Sequence, residues 1–412
     1  MEMPFPMNYD FDQRINRNGT NSYKWDYVKR DGVIVPWDET DASRHERPVL
    51  PLWVADMDFP CPQPVVDAVT EIANMGVYGY AFPPPSYYDS VVRWMKRRHD
   101  WSVDPDTICF TPGIVPALHM LVSAYTKPGD KVLVQPPVYY PFYNAIENLQ
   151  TRPALNPLQY RDGRYYMDFD DLEAKCADPE VRMAILCHPH NPVGRIWTRE
   201  ELRRFGRICM DNDVLVVSDE IHGDLILGTR DFTPYATLGA EYEARSIICT
   251  SPSKTFNLAA LQASNMMIPD PALREAFQQT VRSAGIFTLN PFGIAAVEAA
   301  YDHGEEWLEQ LLAYLEGNYR FLESFFRERL PGIPVIETEG TYLVWVDFTS
   351  LGLDKDALQH LMMEEARVFL DEGYIFGPEG EGFERINIAC PRSILAEALE
   401  RIEAAVNGVG PR

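Results

Sequence analysis

The sequence predicts an α/β protein, with a large domain built on a mainly parallel sheet flanked by helices and a smaller α+β domain beside it. Three observations lead there. From Thr107 to about Thr250, short apolar runs alternate with helical patterns, the order an open parallel sheet requires. Five of those runs end in polar or glycine-proline motifs, as strands do when their carboxyl ends meet a ligand. The length, 412 residues, exceeds what one compact core usually holds, so a second domain is expected. The expected boundaries are 50–290 for the large domain, and 1–49 with 291–412 for the small one.

Residues 1 to about 50 are polar and irregular, with Arg14, Asn16, Tyr23 and Trp25 preceding a charged loop at Arg44-His45-Glu46-Arg47. They read as an arm laid over another part of the molecule. Next, Trp53-Val54-Ala55-Asp56-Met57-Asp58-Phe59 leads through Pro60 and Pro62 into a helix with Val65, Val66, Val69, Ile72 and Ala73 on its apolar side. The prolines fix the turn into that helix. Residues 78–85 form an aromatic, proline-rich loop of the kind that docks against a neighbour. In the helix that follows, Val91, Val92, Trp94 and Met95 are the apolar positions, and the run Lys96-Arg97-Arg98 reads as a solvated face.

The five apolar strands come next. Ile108-Cys109-Phe110 runs into Thr111-Pro112-Gly113-Ile114-Val115-Pro116, and Val132-Leu133-Val134 into Pro136-Pro137-Val138-Tyr139-Tyr140-Pro141. Ala184-Ile185-Leu186-Cys187 runs into His188-Pro189-His190-Asn191-Pro192, and Val214-Leu215-Val216-Val217 into Ser218-Asp219-Glu220. Ile247-Ile248-Cys249 runs into Ser251-Pro252-Ser253-Lys254-Thr255-Phe256-Asn257. In such a sheet all five motifs converge on one site. After Asn290-Pro291-Phe292 the alternation stops: a long helical stretch carries Trp307, Leu311, Leu315, Leu322 and Phe326, then come a strand at 342–346, a helix around 358–369, a strand at 385–389 and a final helix over 393–406.

Composition narrows the function. A net charge of −24 opposes non-specific attraction to nucleic acid or anionic membrane, so an anionic ligand needs a local cluster of donors. No stretch approaches the ~18 uninterrupted apolar residues of a membrane span. Residues 1–12 have neither the basic start nor the apolar block of a signal peptide, which suggests a cytoplasmic protein. Seven cysteines, an odd number without Cys-x-x-Cys pairs, read as reduced core thiols, and no metal-ligand spacing occurs.

The lysine loop carries the chemistry. Lys254 stands at the mouth of a strand between serines, where an amine can be desolvated and hold a carbonyl cofactor as an imine, although a surface lysine would also fit these residues alone. The amides of Ile114 and Val115, opening a helix after Gly113, suit a phosphate, with Ser251 and Ser253 as further hydroxyl donors. Asp219 ends an apolar strand, where it either caps a helix or keeps a pyridine nitrogen protonated. Asn191 can donate to a phenolic oxygen and Tyr139 can stack on a ring, or the two are a turn asparagine and a core tyrosine. Arg385 has the planar fork that grips a carboxylate, or forms an ordinary salt bridge. Together these indicate pyridoxal 5′-phosphate (PLP).

In that order the motifs resemble the aspartate aminotransferase family of PLP enzymes, fold type I, over about residues 23 to 406. Within it, the Trp53 to Phe59 motif and Tyr78-Gly79-Tyr80 resemble the cystathionine β-lyase and cysteine-S-conjugate β-lyase subgroup. The resemblance implies a PLP-dependent transferase-like fold, Lys254 as the Schiff-base lysine, Asp219 as the pyridinium partner, Asn191 as the donor to the ring oxygen and Tyr139 as the stacking aromatic. It implies phosphate contacts from Ile114, Val115 and Ser251, a homodimer with shared sites in which Tyr80 serves the other subunit, and Arg385 on the substrate carboxylate. Ser253 and His222 join the cofactor side; Tyr140 and Ala55 join Arg385 as candidate substrate-binding residues. His222 stands where aminotransferases usually carry tyrosine, and Gln262 where they usually carry a phosphate-binding arginine, which favours the lyase subgroup. The expected reaction is elimination of a thiol from an S-substituted L-cysteine, giving pyruvate and ammonia, with transamination as the alternative.

Overall fold

The computed structural model describes residues 9–30, 33–36 and 48–409, and its strands fall into one large sheet and four small ones. A hairpin of β1 (Tyr27–Arg30) and β2 (Val33–Pro36) precedes the two-residue β3 (Leu50–Pro51). The large sheet takes β4 (Ile108–Thr111), β5 (Lys131–Val134) and β6 (Arg152–Leu155). After a side hairpin, β7 (Gln159–Arg161) and β8 (Arg164–Tyr166), it continues with β9 (Val181–Cys187), β10 (Leu215–Asp219), β11 (Ser246–Thr250) and β12 (Ser264–Met267). The C-terminal part adds β13 (Leu343–Asp347), β14 (Val368–Phe369), β15 (Asp371–Glu372) and β16 (Phe383–Asn387).

In space the large sheet runs β4-β12-β11-β10-β9-β5-β6, and only β12 is antiparallel to its neighbours. All five strands singled out in the sequence therefore point the same way and end at one edge. Their apolar runs are unbroken because both faces are covered. Val216, Ile248 and Leu186 pack in one core with Leu202 and Phe205, while their neighbours Val217, Ile247 and Ile185 pack in another with Leu118 and Phe277. The helices supplying those covers are Arg199–Asp211, closed by a Thr198/Glu201 capping box, and Ile114–Tyr125 with Pro271–Ser283.

A three-stranded antiparallel sheet, β13-β16-β15, sets Trp345 and Asp371 on either side of Arg385. The long helix Glu305–Arg329 packs with Arg392–Gly408 in the same core as that sheet. Pairing of β3 with β14 ties the stretch before Trp53 to this C-terminal part.

Besides the five strands singled out in the sequence, the sheet holds β6 and β12, which contain Pro153 or Asn265 and lack a clean apolar signal. Three expectations are corrected. The N-terminal arm is partly regular: besides the hairpin it holds the helical turn Tyr23–Asp26, capped by Ser22. The helix expected around 358–369 is shorter, Lys355–His360 continuing as a π-turn to Glu365, since Val368 and Phe369 are needed as strand β14. The basic run of helix Pro85–His99 is not merely solvated, because Arg97 pairs with Glu305 at 2.6 Å and Arg98 with Glu309, clamping it to the long helix. The loop Arg44-His45-Glu46-Arg47 lies outside the described residues.

Candidate active site

At the carboxyl edge of the large sheet lies a cavity of about 250 Å³. Its walls include Ile114 and Val115, Tyr139, Asn191, Asp219, and His222 with Ser253 and Lys254. These come from the ends of five strands, and Ala55 closes the opposite side.

Lys254 is placed by the four-residue helical turn Pro252–Thr255, entered from β11 and capped by Ser251. Its Nζ donates to the Ala55 carbonyl at 2.7 Å, an oxygen that also accepts from the Tyr342 hydroxyl at 2.9 Å. Burial, above all, pulls this amine down to about 8; the Asp56 charge opposes that, Arg385 adds to it, and Asp219 opposes it again. A buried amine near that value loses its proton readily, which a surface lysine does not.

Asp219 sits at the end of β10 with Cys187 of β9 and Cys249 of β11 as its neighbours in register. One oxygen accepts from the Ile221 amide at 3.2 Å, and no side chain among the described residues donates to the other. Burial raises its carboxyl to about 7, against the pull of the Ile221 N–H and the Lys254 charge. Such a carboxylate is incomplete until a cationic N–H reaches it. His222 is likewise underpartnered: its Nδ1 is buried without a hydrogen bond, and burial followed by the Lys254 and Arg385 charges holds the ring neutral.

At the far wall, helix Ile114–Tyr125 begins at Gly113, whose φ of 110° only glycine adopts without strain. Ala117 makes the first bond back to Gly113, which leaves the Ile114 and Val115 amides free at the positive end of the helix. A phosphate fits that end. Gln262 joins this wall, its backbone left-handed at φ 50°.

Arg385 lies just behind the wall and reaches the cavity through Asn191. Its Nη1 donates to Asn191 Oδ1 at 3.0 Å, and Nη2 donates to the Trp53 carbonyl at 2.8 Å and to the Asp371 carboxylate. With Oδ1 so engaged, the amide nitrogen of Asn191 is left to face the cavity. Arg385 Nε is buried without a partner, so the guanidinium retains a donor for an incoming anion.

Not every expected residue is at the cavity. Ser251 is buried beside it, its Oγ 2.7 Å from both the Ala263 carbonyl and Ser253 Oγ, so it serves the cap of the lysine turn. Tyr140 packs on Phe376 outside the wall. Tyr80 is 87% exposed, makes a tilted ring contact with Phe287 and is not part of this chain's own cavity wall. His188, unassigned in the sequence, is structural: it is buried, stacked on Phe232 at 4.6 Å, and its Nε2 lies 3.1 Å from the Thr233 carbonyl. Three participants were missed. Tyr342 and Asp371 sit in or beside strands and look like ordinary strand residues, and Asp56 was read only as part of a motif. An acid inside the apolar run before Phe59 was the one available signal.

The residues present fit a PLP molecule: an amine for its carbonyl, an unsatisfied carboxylate for its ring nitrogen and a helix end for its phosphate. Comparison with known proteins agrees. The family model for aminotransferase class I and II matches residues 47–402. The chain is 44% identical to cystathionine β-lyase PatB of Bacillus subtilis, over 97% of this chain and 100% of that protein. Among solved structures it is similar to cystalysin of Treponema denticola, which contains a PLP cofactor, with a TM-score of 0.92, 37% identity and coverage of 98% and 100%. It also matches a PLP-bound C-S lyase of Staphylococcus hominis, TM-score 0.89, 34% identity and coverage of 98% and 99%.

Proposed function

The chain belongs to the class I and II aminotransferase family, and from that premise we propose that it is a PLP-dependent carbon–sulfur β-lyase of the cystathionine β-lyase type. Its substrate class is the S-substituted L-cysteines, and its net reaction converts substrate and water to a thiol, pyruvate and ammonia. The observation that carries the reading is the buried Lys254 amine, held near a pKa of about 8 and facing an unpaired Asp219.

In this reading Lys254 would hold the cofactor through its carbonyl carbon, Asp219 would pair with the ring nitrogen, and Asn191, His222 and Tyr139 would contact the ring. Ile114, Val115 and Ser253 would hold the phosphate, with Ser251 supporting Ser253. When bound, PLP supplies a carbonyl for the substrate amine and a pyridinium that withdraws electrons from Cα. Lys254, its amine released when the substrate amine takes its place on that carbonyl carbon, would then take the Cα proton, since it is the amine in reach whose burial leaves it a usable base near neutral pH. Arg385 orients the α-carboxylate, with Asn191 and Asp371 fixing the guanidinium plane and Tyr140 and Ala55 lining the approach.

Elimination rather than transamination is favoured by His222 and Gln262, and by the 44% identity to a cystathionine β-lyase. Exposed Val77, Tyr78, Tyr80 and Phe82 support a homodimer in which Tyr80 of each copy completes the other's phosphate site. Seven free cysteines fit a cytoplasmic setting, and no helix among the described residues is long and apolar enough to cross a membrane.

The test is incubation with cystathionine or S-methylcysteine in the absence of any keto acid. Sustained, stoichiometric release of pyruvate and thiol is expected, from a species that light scattering reports as a dimer. Turnover that appears only after a keto acid is added would transfer the assignment to an aminotransferase.

A further inference from the structure

The N-terminal arm reaches the lysine without touching it. Arg17 grips Asp56 with two parallel bonds, Nη1 to Oδ1 at 3.0 Å and Nη2 to Oδ2 at 2.7 Å, and also bonds Asp58 Oδ1 at 2.8 Å. Lys24, wholly buried, donates to Asp58 Oδ2 at 2.8 Å and stands 3.7 Å from Asp56 Oδ1; Trp25 Nε1 adds a bond to Asp58 at 2.8 Å. The strip these residues hold is the one whose Ala55 carbonyl receives Lys254, and Asn387 and Asn257 pin it from the other side through the carbonyls of Val54, Asp56 and Met57. Asp56 thus lies between two sets of cations, Arg17 and Lys24 on the arm and Lys254 in the site.

We infer that Arg17 is a positioning residue for the Lys254 amine, acting through Asp56: by gripping that carboxylate from the arm side, it limits how strongly the carboxylate pulls on the amine. This rests on the reading of Lys254 as the reactive lysine. The charged and titratable groups facing Lys254 are Asp56 on the strip, Asp219 and His222 at the end of β10, and Arg385 on β16, with the Tyr342 hydroxyl sharing its acceptor. Those facing Asp56 are Arg17, Lys24, Lys254 and, across the Arg17 guanidinium, Asp58. Arg17 is the one group in this chain of contacts that bonds Asp56 bidentately and is itself partly exposed, so it can be changed without opening the core.

Removing the two-pronged Arg17 grip frees the Asp56 carboxylate to turn from the arm toward the Lys254 cation, which makes the amine harder to deprotonate. The experiment is acetylation of the full-length, cofactor-free protein by acetic anhydride across the neutral to alkaline range, with the Lys254 peptide quantified by mass spectrometry. In the unaltered protein the midpoint is expected near 8. Arg17→Gln should raise it by about one unit, and Arg17→Lys, which keeps the charge but not the two-pronged grip, by less. In an Asp56→Asn background, itself with a lowered midpoint, Arg17→Gln should leave the midpoint where Asp56→Asn alone puts it. An unchanged or lowered midpoint in Arg17→Gln overturns the inference, as does a rise that persists without Asp56; Arg17→Lys supplies the same reading if the glutamine variant does not fold. The readout involves no turnover, so its failure is distinct from failure of the lyase assignment.

Discussion

Two buried charge clusters, one around Asp58 and one reaching the neighbouring Ala55 carbonyl through Lys254, are built on opposite plans. Around Asp58, every ion has a partner: Arg17, Lys24 and Trp25 satisfy Asp56 and Asp58, and although burial alone would lower the Lys24 amine, the Asp58 and Asp56 charges leave it raised. Around Asp219, the ions lack partners: burial dominates, the carboxyl is pushed up to about 7, the Lys254 amine down to about 8, and His222 is held neutral. A protein interior accepts charge when it is paired, and the cost of leaving it unpaired is tolerated where a ligand will complete the set. The comparison teaches how to tell a structural ion pair from a reactive one when both are equally buried.

The sharpest test changes one lysine from each cluster. Lys254→Met should lower thiol release by about 10³-fold or more, because the base and the cofactor link go together. The same variant, freed of cofactor, should be as stable as the parent or more stable by roughly 1–3 kcal/mol, since an ill-compensated buried ion has been replaced by an apolar chain of similar size. Equal or greater loss of stability in denaturant titration would mean that Lys254 is as well paired as Lys24. Lys24→Met should instead cost about 3 kcal/mol, because buried Asp58 Oδ2 loses its cation and only Oδ1 keeps partners, Arg17 and Trp25. Adding Asp58→Leu should recover much of that loss, which urea midpoints of the single and double variants would reveal.

A smaller effect separates the clusters by pH. Asp219 titrates near 7 in the folded protein and near ~3.9 in the unfolded chain, so between those values the folded state binds a proton that the unfolded state releases. Stability from this group is present at low pH and is lost as pH rises through the window, by on the order of 4 kcal/mol at most. Cofactor-free Asp219→Asn should show a flatter stability profile across that range than the parent. Two parallel profiles would place Asp219 among the paired acids and undo the contrast.

Much of the fold was readable because its signals are local. The runs at Ile185, Val216 and Ile247 are apolar on both faces because both faces are covered, and glycine, proline and asparagine mark where each strand must stop. Convergence of the five motifs follows from parallel topology, so the sequence alone groups Lys254, Asp219, Asn191 and Tyr139, which line one cavity. The small-domain elements were read less well: Val368 and Phe369 continue a helical pattern and become a strand only because Leu50 and Pro51 are there to pair with them.

The sequence alone marked five strands of the large sheet, where their ends meet and which residue types stand there, since these depend on periodicity and on the geometry of a parallel sheet. Only the tertiary structure decided the partnerships that set their chemistry. Lys254 reaches the Ala55 carbonyl across a separation of 199 residues and Tyr342 reaches the same carbonyl across 287, and Asp371 reaches Arg385 across a strand pairing. Ser251 became a cap because its Oγ accepts from the Ser253 amide while donating to the Ala263 carbonyl, 12 residues on. Whether a buried charge is paired or left waiting depends on distances of a few ångströms between segments far apart in the chain, and no local pattern encodes those distances.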